Sequence, residues 1–217
     1  MCKKIVREQY PKDHSKWSRL WNSEDIYCAF VSKEIKRKWF TTKIFAQMKK
    51  VFAKMKKLRL LKVYYSLGDK HEIVFAFNFH GEKLVAINLK SSNIKELLKG
   101  KKCHAELKFI DLSNSQQLIK IPKWSRMPKL EKLNLEGCRL WLSHSGIREL
   151  PTSIECLEAL ESLWLSGCSN FEKFPEIQKN MENLCALDLE DTPIKELSCL
   201  IGHLPRLEYL HLRNCKT

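Results

Sequence analysis

The pattern L-x-x-L-x-L recurs along this chain and constrains its fold more than any other sequence feature. Six clear copies begin at successive spacings of 23, 23, 30, 24 and 23 residues. Each copy fits one short strand that cannot bury its aliphatic side unless a neighbouring copy stacks against it. The copies are Leu84/Ile87/Leu89, Leu107/Ile110/Leu112, Leu130/Leu133/Leu135, Leu160/Leu163/Leu165, Leu184/Leu187/Leu189 and Leu207/Leu210/Leu212, preceded by an earlier copy at Leu58/Leu61/Val63.

A column of small polar or thiol residues accompanies the repeat, three positions after the last aliphatic residue of each copy. We expect these side chains to turn the chain and to donate hydrogen bonds to backbone carbonyls. The three cysteines among them are therefore interpreted as structural, and no metal site is predicted. The column consists of Ser92, Ser115, Cys138, Cys168, Thr192 and Cys215.

The period predicts an α/β fold, a leucine-rich-repeat solenoid of short parallel strands with irregular or helical return segments over residues 82–217. Its core would include the last leucine of each copy, and burial of such a side chain contributes about 1.5–3 kcal/mol. Before it, IFAQMKK is followed seven residues later by VFAKMKK, so 41–81 is predicted as a helix plus a first irregular repeat. These last leucines are Leu89, Leu112, Leu135, Leu165, Leu189 and Leu212.

The 30-residue spacing marks an irregular repeat. A second strand-like segment, at 140–142, begins only seven residues after Leu133. Seven residues are too few to leave the sheet and return to it, so we expect either 133–135 or 140–142 to lie outside the sheet. Which of the two is displaced stays open.

The positive charge of the chain lies entirely in its first half. Residues 1–102 hold 25 basic and 9 acidic residues, whereas 103–217 hold 14 and 16. This excess fits the solvated surface of a small, mostly helical segment, or else a surface for nucleic acid or an anionic membrane. No RNA-recognition or helix-turn-helix signature accompanies it.

Several functional classes are disfavoured by the sequence. No apolar stretch approaches 18 residues, so we expect a cytoplasmic protein, with the nucleus as the other possibility. The nine cysteines form no C-x-x-C pair and are interpreted as reduced thiols. No nucleophile and base, and no pair of carboxylates, occupies an evident catalytic motif, so we expect a protein that is not an enzyme.

The candidate binding site is the concave face of the predicted solenoid. Alternation along each strand sends the residues between the leucines to this face. Trp164 is the favoured anchor because an aromatic side chain on a polar face has apolar area to bury on a partner. The central row is Asn88, Asp111, Asn134, Trp164, Asp188 and His211, and the flanking positions are Lys90, Phe109, Glu136, Tyr209 and Arg213.

Particular phrases of the chain resemble a known family. IVREQYPKDHSKWSRLWNSEDIYCAF (Ile5 to Phe30) is similar to the end of the winged-helix part of the nucleotide-binding module in plant disease-resistance receptors. NFHGEKLVAINLKSSNIKEL, LEKLNLEGC and ALESLWLSGCSNFEKFPEI are similar to the repeats of the same proteins. The family is that of the Toll/interleukin-1-receptor-type nucleotide-binding leucine-rich-repeat receptors, and on this resemblance residues 1–40 are a remnant of the winged-helix region.

The resemblance implies an innate-immunity protein whose repeats sense a pathogen effector or a guarded host protein, or hold the nucleotide-binding domain inactive. The chain lacks G-x-x-x-x-G-K-[ST] and a Toll-type domain, so no ADP or ATP cofactor and no NAD cleavage is expected of it. It is interpreted as a truncated relative of these receptors. The alternatives left open are a basic nucleic-acid-binding module and a non-functional gene remnant.

Overall fold

The strands of this protein form one parallel sheet in which spatial order equals sequence order. The computed structural model describes residues 58–62, 83–92, 94–98, 103–138 and 149–215, together with the backbone of 19–20. Within these ranges the sheet has eight strands. They are β1 (Arg19–Leu20), β2 (Leu60–Lys62), β3 (Ala86–Asn88), β4 (Phe109–Asp111), β5 (Lys132–Asn134), β6 (Ser162–Trp164), β7 (Ala186–Asp188) and β8 (Tyr209–His211).

The register of the sheet follows the leucine pattern without a slip. The central residue of each strand from β2 to β8 pairs with the central residue of the next, so one inward column runs the length of the solenoid. Strands of this kind pack because each inward side chain lies against its equivalents in the two adjacent repeats. The predicted leucine-rich-repeat solenoid is confirmed. The column is Leu61, Ile87, Ile110, Leu133, Leu163, Leu187 and Leu210.

Burial of this core is complete in the inner repeats and partial at β8. The three pattern positions are at most 2% exposed in every copy from Leu84 to Leu189. In the last copy, Leu207, Leu210 and Leu212 are only partly buried. The difference arises because each inner repeat is covered by its neighbours on both sides, and no described strand pairs with the outer edge of β8.

The return segments are short helical turns and extended stretches. They include the 3-10 helices Trp124–Arg126 and Thr152–Cys156 and one turn of α-helix, α1 (Ser198–Ile201). The two 3-10 helices pack against each other, and Trp124 is fully buried. Such segments match the prediction of irregular or helical returns, whereas the helix predicted in 44–57 lies outside the described residues.

The irregular repeat keeps its first candidate strand in the sheet. β5 contains Leu133 and pairs with β4 on one side and with β6 on the other. Leu133 and Leu135 are both fully buried. The second candidate, 140–142, lies outside the described residues.

A left-handed residue follows each strand from β3 to β8, two positions after its last leucine. Gly137, with φ of +62°, is one of them, and a Cβ there would lie 2.4 Å from Asn114 Oδ1. Only glycine fits this position without strain, since it has no Cβ to meet the neighbouring turn. The full set is Ser91, Asn114, Gly137, Gly167, Asp191 and Asn214.

The small-residue column makes the hydrogen bonds predicted for it. Ser115 Oγ donates to the carbonyl oxygen of Leu89 at 3.1 Å, and Cys138 Sγ donates to that of Leu112 at 3.3 Å. The equivalent bonds of Cys168 and Cys215 are made at 3.0 and 3.2 Å. Each bond joins a repeat to the one before it, so the column binds neighbouring turns together as well as turning the chain.

Candidate functional site

The predicted central row forms one continuous line across the face of the sheet that lies away from the return segments, here called the concave face. Consecutive members of the row are paired in register, from Asn88 with Asp111 to Asp188 with His211. The tertiary structure therefore brings together residues that lie 23 to 30 positions apart in sequence.

Four of the six row residues form hydrogen bonds within the turn that follows their own strand. The side-chain oxygens of Asp111, Asn134 and Asp188 accept a hydrogen bond from the backbone N–H two residues later, at 3.0, 2.9 and 3.0 Å. Asn88 accepts a longer one from Lys90, at 3.4 Å, and donates to Asp111 Oδ2 at 2.7 Å. These are Asx turns, which hold the chain as it leaves the strand. A structural role thus accompanies any binding role of these four residues.

Trp164 is half-buried in the middle of the row. The strand register places Asn134 on one side of it and Asp188 on the other. Because the side chain is half-buried, only part of the indole is open to a partner.

The most exposed aromatic residue of the face is Tyr209, which begins β8. Its side chain is 62% exposed, and that of Phe109, in the equivalent position of β4, is 38% exposed. Both flanking residues are exposed, whereas Trp164 is half-buried. Sequence reasoning named both but ranked Trp164 first, because exposure depends on the size of neighbours that only the register identifies.

Residues of the last repeat approach the acidic residues of the repeat before it. His211 Nδ1 lies 3.9 Å from Asp188 Oδ2, and Arg213 Nε lies 3.6 Å from Glu190 Oε1. The side chains of His211 and Arg213 are largely exposed. Exposed contacts of this kind contribute little to stability, so both residues remain available to a partner.

Two further ion pairs connect β4 to β5 along the edge of the face. Lys108 Nζ pairs with Glu131 Oε1, and Lys129 Nζ pairs with Glu106 Oε1 at 2.7 Å. The hydrogen bond from Lys129 lowers the pKa of Glu106, and the hydrogen bond to Glu131 raises the pKa of Lys108. These pairs fix the charge pattern at this end of the face.

The described residues contain no group of three or more His, Cys, Asp or Glu residues placed to hold a metal ion. Among the same residues, no helix is long and apolar enough to cross a membrane.

The chain is similar to plant disease resistance proteins. No family model matches it. It is 38% identical over 186 residues to disease resistance protein RPV1 of Vitis rotundifolia, covering 62% of this chain and 13% of that protein. It is 30% identical over 275 residues to disease resistance protein LAZ5 of Arabidopsis thaliana, covering 99% of this chain and 23% of that protein.

The chain thus spans less than a quarter of the length of these relatives. Among solved structures, a leucine-rich-repeat protein of Leptospira interrogans matches 97% of this chain and 70% of its own chain, at 15% identity and a TM-score of 0.30. The curated homologues that align along the chain are plant proteins of the Toll/interleukin-1-receptor-type nucleotide-binding leucine-rich-repeat class, and this protein is a leucine-rich-repeat relative of those disease resistance proteins.

Proposed function

We propose that this chain acts in plant defence as a protein-binding leucine-rich-repeat segment whose concave face holds the partner. The partner would be a pathogen effector, a host protein that an effector modifies, or the nucleotide-binding domain that such repeats hold inactive. The function is binding, without catalysis and without a bound nucleotide.

The observation that carries this proposal is the exposed aromatic surface on the concave face. Tyr209 is 62% exposed and Phe109 38% exposed, and both are flanked by charged and polar residues. Aromatic side chains surrounded by polar ones are common at the centres of protein interfaces, because the ring buries apolar area at a low cost in side-chain entropy. The sheet holds both rings on rigid strands, which lowers the entropic cost of binding.

The charge of the same face favours a protein over a nucleic acid. From β5 to β8 the face carries more acidic than basic residues, among them Glu161, Asp188 and Glu190. Phosphate groups would be repelled from this region. The basic run at 49–62 lies mostly outside the described residues.

Site-directed photocrosslinking of the full chain in plant tissue tests the proposal. Benzoylphenylalanine would replace Phe109 or Tyr209 in separate variants, and Ile119 in a matched control. Ile119 is also an exposed apolar residue, 43% accessible, but it lies on a return segment. We expect a discrete crosslinked protein from positions 109 and 209 and none from 119. Equal crosslinking from all three positions would contradict a binding role for the concave face.

A further inference from the structure

We propose that the concave face is divided by charge along the solenoid, and that it binds a segment of a separate protein whose own charge changes sign along its length. Acidic residues of that segment would lie over β2–β4, and basic residues over β5–β8. The inference rests on the proposed function, since it names the chemistry of the partner for the same face.

The charge division follows from the register of the strands. The residues compared lie in or beside the strands and point away from the core. At β2–β4 four of them are basic, Arg59, Lys62, Lys90 and Lys108, and one is acidic, Asp111. At β5–β8 the same positions hold two basic residues, Lys132 and Arg213, and six acidic ones. The acidic residues are Glu131, Glu136, Glu161, Asp188, Glu190 and Glu208.

Part of this charge is not neutralised within the protein. Glu136, Glu161 and Glu208 are exposed, and none forms an ion pair with another residue that the structure describes. At the other end, the same is true of Arg59 and Lys90. Charged groups of opposite sign on a partner could therefore form ion pairs with these residues without breaking existing ion pairs. Such attraction also orients the partner as it approaches.

Tyr209 lies where a basic side chain of the partner could contact it. Glu208 directly precedes Tyr209, the most exposed ring on the face, and Glu161 lies two strands away beside Ser162. A guanidinium group can stack on an aromatic ring while pairing with a carboxylate, and arginine has the planar shape for both contacts. The acidic half of the face is thus better suited to arginine than to an aliphatic residue.

The rest of this chain is a poor source for the segment. Residues 1–102 hold 25 basic and 9 acidic residues, so that part of the chain matches only the acidic half of the face. A nucleic acid would match only the basic half. Strands lie about 4.8 Å apart, so β2 to β8 spans roughly 29 Å, which an extended segment of about nine residues covers.

Peptide binding to the full chain provides the test. The probe is a synthetic peptide of about 12 residues, with aspartates in one half and arginines in the other. A second peptide of the same composition has the two residue types in alternation. We expect the block peptide to bind at low ionic strength, and the alternating peptide to bind about tenfold more weakly.

Charge reversal distinguishes the face from the rest of the surface. Glu161→Lys with Glu208→Lys should weaken binding of the block peptide about tenfold. Glu172→Lys with Glu196→Lys makes the same change in net charge on exposed return-segment residues and should leave binding within about twofold. Equal binding of the two peptides, or equal loss in the two double variants, would overturn the charge division.

A third variant separates this inference from the proposed function. Phe109→Ala with Tyr209→Ala removes the exposed rings and leaves the charges, and for this comparison benzoylphenylalanine replaces Trp164, on the same face, in every variant. If it prevents capture of a crosslinked protein while the charge reversals do not, the face binds a partner but the charge division is wrong. If none of the variants affects capture, the proposed function fails as well.

Discussion

Ser92 Oγ and Ser115 Oγ lie 3.0 Å apart, although 23 residues separate them in the chain. Ser115 Oγ also accepts a hydrogen bond from the backbone N–H of Ser92, at 3.2 Å, and donates to the carbonyl oxygen of Leu89. One hydroxyl thus joins two repeats at a buried position where water cannot replace it. Cysteine takes the same position in other repeats, because a thiol can make the donation to the preceding carbonyl.

Replacing Ser115 should destabilise the solenoid more than replacing a second buried serine two residues before it. Ser115→Ala leaves the Ser92 N–H and the Leu89 carbonyl without this partner, at a cost of about 1–2 kcal/mol in the free energy of unfolding. Ser113 Oγ has no hydrogen-bond partner among the described residues, so Ser113→Ala should be neutral or stabilising. Urea denaturation of both variants tests this, and equal losses would contradict it. Ser115→Cys should recover part of the loss.

Gly137→Ala should be destabilising, because its backbone is left-handed and the new Cβ would meet Asn114 Oδ1. The left-handed conformation alone costs a residue with a Cβ about 1–2 kcal/mol. Gly202→Ala is the matched control, since φ is −60° there and a Cβ meets no atom within 4 Å. Thermal melting should separate the two variants clearly. Adding Asn114→Gly to Gly137→Ala should restore some stability by removing the contact with Oδ1. If it does not, the destabilisation comes from the left-handed backbone alone.

Truncation of the leucine column should cost more in an inner repeat than in the last one. Leu133 is fully buried, whereas its equivalent Leu210 is only partly buried. Leu133→Ala should lower the free energy of unfolding by about 2–5 kcal/mol, as is usual for a buried leucine. Leu210→Ala should lower it by less, because less apolar area leaves water at β8. Equal effects in chemical denaturation would indicate that β8 is covered in solution.

The Glu106–Lys129 pair should contribute to stability only above the acid range. Lys129 lowers the pKa of Glu106 from its usual value of 4.5, so the folded chain binds fewer protons at this site than the unfolded chain does. Its contribution is present above pH 4.5 and is lost as pH falls through the lowered pKa. Glu106→Gln should therefore flatten the dependence of melting temperature on pH below that value. Because the pair is exposed, high salt should reduce the difference, and a difference that persists unchanged in salt would argue against an ionic origin.

The cysteines should differ in reactivity towards iodoacetamide. Cys103 is exposed, whereas Cys138 and Cys168 are buried. The neighbouring Cys168 thiol and burial raise the pKa of Cys138, so the reactive thiolate is scarce at neutral pH. Mass spectrometry of the native protein should detect label on Cys103 before Cys138 and Cys168, which should be labelled only after unfolding. Early labelling of Cys138 would contradict a closed core in this region.

Much of the fold could be predicted from the sequence, and less of the candidate site. The copies from Leu84 to Leu212 gave the strand positions, and the Ser/Thr/Cys column gave the hydrogen-bonding turn, because both depend on periodicity within the chain. The sequence does not distinguish 133–135 from 140–142 in the irregular repeat, since both carry the same pattern. The structure places 133–134 in the sheet, within β5.

The candidate face could likewise be predicted only in part. Its central row was evident from alternation along each strand, but the Asx turns of Asp111 and Asp188 and the partial burial of Trp164 were not. Burial of Trp164 depends on its neighbours in register, Asn134 and Asp188, which are 30 and 24 residues away in sequence. Which side chains face inward can be predicted from the chain alone, since the spacing of residues along a strand is a local property. Which outward side chains remain accessible is settled by the fold, because accessibility depends on neighbours that the stacking of repeats brings together.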